Sequence, residues 1–231
     1  LIIDIICIKF IYKVIFFHNI YMHITIKNLL DIESKINNRA KIIAVSKTFP
    51  IDKILPLIEH GHTDFGENKV QEAIKKWTEI KKVNSQIKLH MIGKLQNNKV
   101  KFAVQIFEYI HSVDSKKLAK KIADESKKLN KKIKIFIQVN IGDEGQKSGI
   151  NKNELDQLVS YSKEIGLNVI GLMCIPPANM NLEGYFGEMN KLNKALGFTE
   201  LSMGMSSDFN IAVKHSSTYV RVGSSIFGQR F

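Results

Sequence analysis

A chain of 231 residues with 44% hydrophobic content has room for one sizeable core and is short for two ordinary domains, so a single domain is expected. Its net charge of +12 invites a nucleic-acid partner, but the lysines, such as Lys75, Lys76, Lys120, Lys121, Lys127 and Lys128, spread along polar helix faces without interleaved aromatics, which argues against one. The two cysteines, Cys7 and Cys174, offer no CxxC and no zinc spacing, and fit a reducing, cytoplasmic setting.

Residues 1–21 are apolar, but Asp4, Lys9 and Lys13 interrupt them before the roughly 20 residues that a membrane span requires. Phe17-His18-Asn19 is not a small-residue cleavage site, so neither a membrane anchor nor a secretory leader is expected. Met22 directly precedes the first well-patterned helix; residues 1–21 therefore read as an extension outside the fold, and 22–231 as the domain.

From Thr25 onward, helical periodicity alternates with short β-rich runs, the signature of βα units on a parallel sheet. The candidate strands are KIIAVS from Lys41, TDFG from Thr63, KLHMIG from Lys88, EYIHSV from Glu108, KIFIQVN from Lys134, NVIGLMCI from Asn168, ELSMGM from Glu200 and TYVRVG from Thr218, eight in all. Amphipathic stretches lie between them, with Val70, Ile74 and Trp77 on one apolar face and Phe186, Met189, Leu192 and Leu196 on another. Ser115 and Asp208 suit helix N-caps, and Gly166 and Gly197 suit C-terminal stops. Eight strands also fit a doubly wound open sheet, but no GxGxxG follows the first strand, which favours a closed (β/α)8 barrel of the TIM type.

Barrels of this kind build function where the strands end. Lys47 follows the apolar run Ile42 to Val45 and precedes Phe49 and Pro50, so its amine leaves the rim beside apolar surface. Partial desolvation there favours the neutral amine that attacks an aldehyde to form a Schiff base. Ser206, at the end of the seventh strand, and the Gly223-Ser224 pair after the eighth offer a hydroxyl and backbone N–H groups to a phosphate. Arg221 points into the mouth if Val220 and Val222 pack outward. Opposite a pyridine nitrogen, a guanidinium can only donate, which keeps that nitrogen unprotonated and the ring a weak electron sink. His90 and His111, in apolar strands, read as core histidines, and no metal set is apparent.

The motifs AVSKTFP, FGENKVQE, LHMIGKLQNNK, IHSVDS, QVNIGDEGQKSG, GLMCIPP, LSMGMSSD and VRVGSSIFGQR, in this order from about Asn28 to Arg230, resemble the pyridoxal phosphate homeostasis protein family, similar in fold to the N-terminal barrel of alanine racemases. The resemblance implies a covalent Schiff base of pyridoxal 5′-phosphate on Lys47, phosphate held by Ser206, Gly223 and Ser224, and Arg221 at the pyridine nitrogen. It also implies Asn68 near the cofactor ring, Met91 packing close by, and a monomeric carrier rather than an enzyme with secure turnover. Lys69 departs from the aromatic often found after FGEN, and Ser224 stands where threonine is usual while keeping the hydroxyl. The competing expectation is an amino-acid racemase-like enzyme. The ending at Phe231 leaves out the separate β-domain of such enzymes, and Tyr109, Tyr161, Tyr185 and Tyr219 read as packing residues rather than a second acid or base. Handover of the cofactor to apo-enzymes by direct contact stays open.

Overall fold

The computed structural model describes residues 22–145, 148–177 and 181–229; the extension expected over residues 1–21 lies outside them, as do Gln146 and Lys147. Eight strands, β1 (Lys41–Val45), β2 (Asp64–Glu67), β3 (Lys88–Met91), β4 (Tyr109–Val113), β5 (Lys134–Val139), β6 (Asn168–Cys174), β7 (Glu200–Met205) and β8 (Tyr219–Val222), pair in sequence order. All pairings are parallel, and β8 returns to β1 with Arg221 opposite Ile43, so the sheet closes into the expected barrel. Sequential order and closure rule out the doubly wound alternative.

Helix α1 (Ile24–Ile36) precedes β1. Then α2 (Ile51–Glu59), α3 (Val70–Val83), α4 (Val100–Ile106), α5 (Lys116–Lys128), α6 (Leu155–Glu164), α7 (Leu182–Ala195), α8 (Phe209–Lys214) and α9 (Ser224–Phe227) follow the successive strands. Helix α5 shows how a lysine-rich segment becomes part of this shell. Leu118, Ala119 and Ile122 recur at helical spacing and are buried, Ser115 Oγ accepts from Leu118 N at the start, and Lys120–Asp124 and Lys121–Glu125 pair along the outer face. Gly166 and Gly197 end α6 and α7 at φ +82° and +73°, where a side chain would be strained. Asp208 does sit at the start of α8, but its carboxylate turns back to accept from Met205 N at 2.5 Å and caps no helical N–H.

Alternation along each strand divides the apolar residues between two cores. Ile42 and Ala44 pack outward with the helices, whereas Ile43 joins Tyr109, Phe136, Met173 and Tyr219 inside the barrel. Each fully buried Ile or Leu of the outer layer contributes about 1.5–3 kcal/mol. Both sheet faces are therefore covered, and the polar strand ends and loops gather at the C-terminal rim. No helix among the described residues is long and apolar enough to cross a membrane.

Candidate functional site

A cavity of about 580 Å³ opens at the C-terminal ends of the strands, a size that suits a small organic ligand. Lys47, Asn68, Ser206, Arg221, Gly223 and Ser224 line it together, although they are up to 177 positions apart in the chain. Val45, Ile92, Ile175 and Met205 supply apolar walls, with Ser207 and Gln229 at the edge. Met91, expected beside the ligand, is 1% exposed and lines a neighbouring cavity with Asn68, Gly93 and Gln96. Strand alternation accounts for this placement: the residue after it, Ile92, takes the side facing Lys47.

Lys47 is half-buried, just beyond β1 in a segment pinned on both sides. Before it, the hydroxyl of Ser46 donates to Glu67 Oε1 at 2.8 Å; after it, Thr48 adopts φ +67° and its N–H donates to Glu72 Oε1 at 2.6 Å. The ammonium of Lys76 joins the two anchors, reaching Ser46 O, Glu67 Oε1 and Glu72 Oε1 at 2.8, 2.9 and 3.1 Å. Trp77 Nε1 also donates to Glu67 Oε1, at 3.0 Å, from the buried face of α3. This support was not foreseen from the sequence, although Glu67, Glu72 and Lys76 sit at spacings 5 and 4 around the start of an amphipathic helix.

Across the cavity, Arg221 is 4% exposed. Nη1 donates to Ser202 Oγ at 2.7 Å and Nη2 to the carbonyl oxygen of Cys174 at 2.9 Å. Burial lowers its pKa, yet an arginine so placed keeps its charge at neutral pH. Burial also pushes the Cys174 thiol up to about 12, so the sulfur stays neutral and provides no counter-ion. Beside it, the N–H groups of Gly223 and Ser225 converge on Ser206 Oγ, each at 3.3 Å. The second donor to that hydroxyl is the N–H of Ser225, while Ser224, expected at the phosphate, lines the cavity. Gly223 has a further reason to lack a side chain, because a Cβ there would come within 3.3 Å of Val45 Cβ.

The cavity therefore offers a lysine, a hydroxyl ringed by backbone donors, a buried cation and an acceptor, Asn68 Oδ1, that is buried without a hydrogen-bond partner. The alanine racemase N-terminal domain family model matches residues 25–230. The pyridoxal phosphate homeostasis protein of Aquifex aeolicus is 38% identical over 203 residues, spanning 84% of this chain and 88% of the relative. The chain belongs to the pyridoxal phosphate homeostasis protein family. Of solved structures, PipY of Synechococcus elongatus, known without and with PLP bound, is 34% identical and covers 89% of this chain and 100% of PipY, with TM-scores of 0.80 and 0.79. The alanine racemase of Clostridium difficile shares the fold alone, at 15% identity and a TM-score of 0.71 over 90% of this chain and 57% of the racemase. The motifs that resembled this family thus lie in a chain that belongs to it, folded as the expected barrel.

Proposed function

We propose that this chain binds pyridoxal 5′-phosphate as a Schiff base on Lys47 and acts as a carrier in intracellular pyridoxal phosphate homeostasis, with little or no turnover. The name of its relatives and the PLP-bound form of PipY support the cofactor. The residues present fit it. The backbone donors at Gly223 and Ser225, with Ser206 and Ser224, suit the phosphate; Lys47 suits the aldehyde; the orphaned Asn68 Oδ1 suits a polar ring substituent. Bound pyridoxal phosphate supplies an aldehyde that captures amines and a ring that accepts electron density.

The observation that carries the carrier reading is Arg221. Its remaining N–H groups can donate and never accept, so a pyridine nitrogen meeting them stays unprotonated and the ring draws electrons weakly. No tyrosine or histidine lines the cavity among the described residues, so the opposing acid or base of a two-base racemase has no candidate there. We infer a monomer in the cytoplasm whose open cavity suits release to apo-enzymes.

The test is the absorbance spectrum of the chain with added pyridoxal phosphate, repeated with Lys47→Ala. A near-ultraviolet or visible imine band in the wild type that is lost in the variant is the expected outcome. A band of equal strength in both would assign the imine to another lysine, and its absence from both would defeat the cofactor reading. Conversion of L-alanine to D-alanine at ordinary enzymatic rates would overturn the carrier role and favour the racemase-like reading.

A further inference from the structure

A file of buried polar side chains crosses the barrel interior from its N-terminal end to Arg221. Asp64, the first residue of β2, is bonded to His90 Nε2 at 3.0 Å; His90 Nδ1 meets His111 Nε2 at 2.9 Å; His111 Nδ1 meets Ser202 Oγ at 2.9 Å; and Ser202 Oγ accepts from Arg221 at 2.7 Å. His90, His111 and Ser202 are wholly buried, and only Asp64, with its side chain 14% exposed, reaches the bottom surface. Aromatic rings wall the file off from water: His90 stacks on Tyr109 at 4.2 Å and His111 on Phe136 at 4.3 Å, with Tyr219 near both.

The two charged ends dictate the direction of every bond between them. Arg221 can only donate, and an ionised Asp64 can only accept. Ser202 therefore accepts from Arg221 and gives its own hydrogen to His111 Nδ1. His111 must carry its proton on Nε2 and donate to His90 Nδ1, and His90 must carry its proton on Nε2 and donate to Asp64. Reversal would set the lone pair of His90 Nε2 against a carboxylate oxygen. Burial lowers the pKa of both rings, consistent with neutral imidazoles in this file.

We propose that Asp64, His90 and His111 are positioning residues for the cofactor site, fixing through Ser202 the orientation in which Arg221 presents its remaining donors to the cavity at the opposite end of the barrel. The role rests on pyridoxal phosphate occupying that cavity, whereas the bond directions can be read from the protein alone. Without an acceptor at position 64, both imidazoles are free to change tautomer. Ser202 then loses the partner for its hydrogen, and Arg221 loses a fixed acceptor.

Nitrogen-15 NMR of the histidine rings in the wild-type protein without added cofactor tests the direction. Both rings protonated at Nε2 alone near pH 7 is the expected result, and an Nδ1-protonated or mixed state for either overturns it. Titration with pyridoxal phosphate then tests the role. Asp64→Leu is expected to weaken binding about fivefold and to move the imine band, whereas Asp64→Asn, whose carbonyl oxygen still accepts, stays within about twofold of the wild type. An imine band in the wild type with unchanged affinity and band position in Asp64→Leu would overturn the relay alone. No band in the wild type would overturn the cofactor reading, and with it the role assigned to the relay, whatever the tautomers. If Asp64→Leu does not fold, the wild-type tautomers still decide whether the relay runs in the required direction.

Discussion

The two walls of the cavity hold their cations in opposite ways. On the β1–β2 side, Lys76 is matched by two carboxylates, Glu67 and Glu72, and this triad grips the segment that carries Lys47. On the β7–β8 side, Arg221 is hydrogen-bonded to a serine hydroxyl and a carbonyl oxygen, with the buried Asp208 acting on it only through space and Asp64 three side chains away along the file. Local ion pairing leaves a lysine nothing to offer a ligand, while neutral acceptors leave the charge of an arginine available to one. The first wall therefore reads as scaffold and the second as recognition, and breaking each should give a different signature.

The largest effect is expected from the scaffold. Lys76→Met removes the only cation that touches Glu67 among the described residues, leaving a wholly buried carboxylate with one oxygen, Oε2, that already lacks a hydrogen-bond partner. Breaking a buried pair from one side costs about 3–5 kcal/mol, so urea unfolding should show a loss of that order. The imine should also form more slowly, since Ser46 and Thr48 lose a common anchor. A loss below about 1 kcal/mol would show that the triad behaves as a surface pair.

A smaller, pH-dependent effect separates the walls further. Burial holds His111 well below the usual 6.5, with the charge His90 would carry if protonated and that of Arg221 adding to the depression, and burial lowers His90 despite the opposing pull of Asp64. Between 6.5 and these lowered values, the unfolded chain binds protons that the folded chain refuses, so stability falls as pH falls. One such histidine contributes up to about 1.4 kcal/mol per pH unit across that window. Denaturation at pH 7, 6 and 5 should therefore show a decline that His111→Gln makes shallower. An unchanged slope would mean that His111 takes up its proton over the same pH range in the folded and the unfolded chain. Asp64 acts in a lower window. Burial raises its carboxyl, but the His90 hydrogen bond and charge outweigh that and hold it at about 2, so its contribution is lost only as pH falls from about 4 toward 2.

The same contrast explains what could be read from the sequence. Most of the eight strands were legible because burial on both faces writes them as apolar, β-rich runs, whereas β2, DFGE, was legible only by its place between two helical patterns. Lys47, Ser206, Arg221 and Gly223 could be picked out as residues of one cavity because each follows or ends such a run. The inward-facing neighbour of Met91, Ile92, was not picked out because a strand end does not announce which residue faces the cavity. Ser225 was missed because its contribution is a backbone N–H, which any residue type could supply. The relay was invisible for another reason. His90 and His111 were correctly read as hydrogen-bonded core residues, but their partners lie on β2 and β7, and only closure of the barrel brings Ser202 within reach of a histidine 91 positions earlier.

The smallest effect is expected at the phosphate cradle, and it tests whether the recognition wall recognises anything. In Ser206→Ala, two backbone donors lose their shared acceptor at the edge of an open cavity, where water can replace it, so stability should fall by only about 0.5–1.5 kcal/mol. Binding is the sharper measurement, made with pyridoxal phosphate and with pyridoxal, which has the aldehyde and ring but no phosphate. If Ser206 and its donors hold the phosphate, the variant should lose about threefold to tenfold in affinity for the first and almost nothing for the second. Equal losses for both would mean that Ser206 only braces the turn into α9. In that case the anion would have to be held by the Gly223 and Ser225 N–H groups without the hydroxyl on which they now converge.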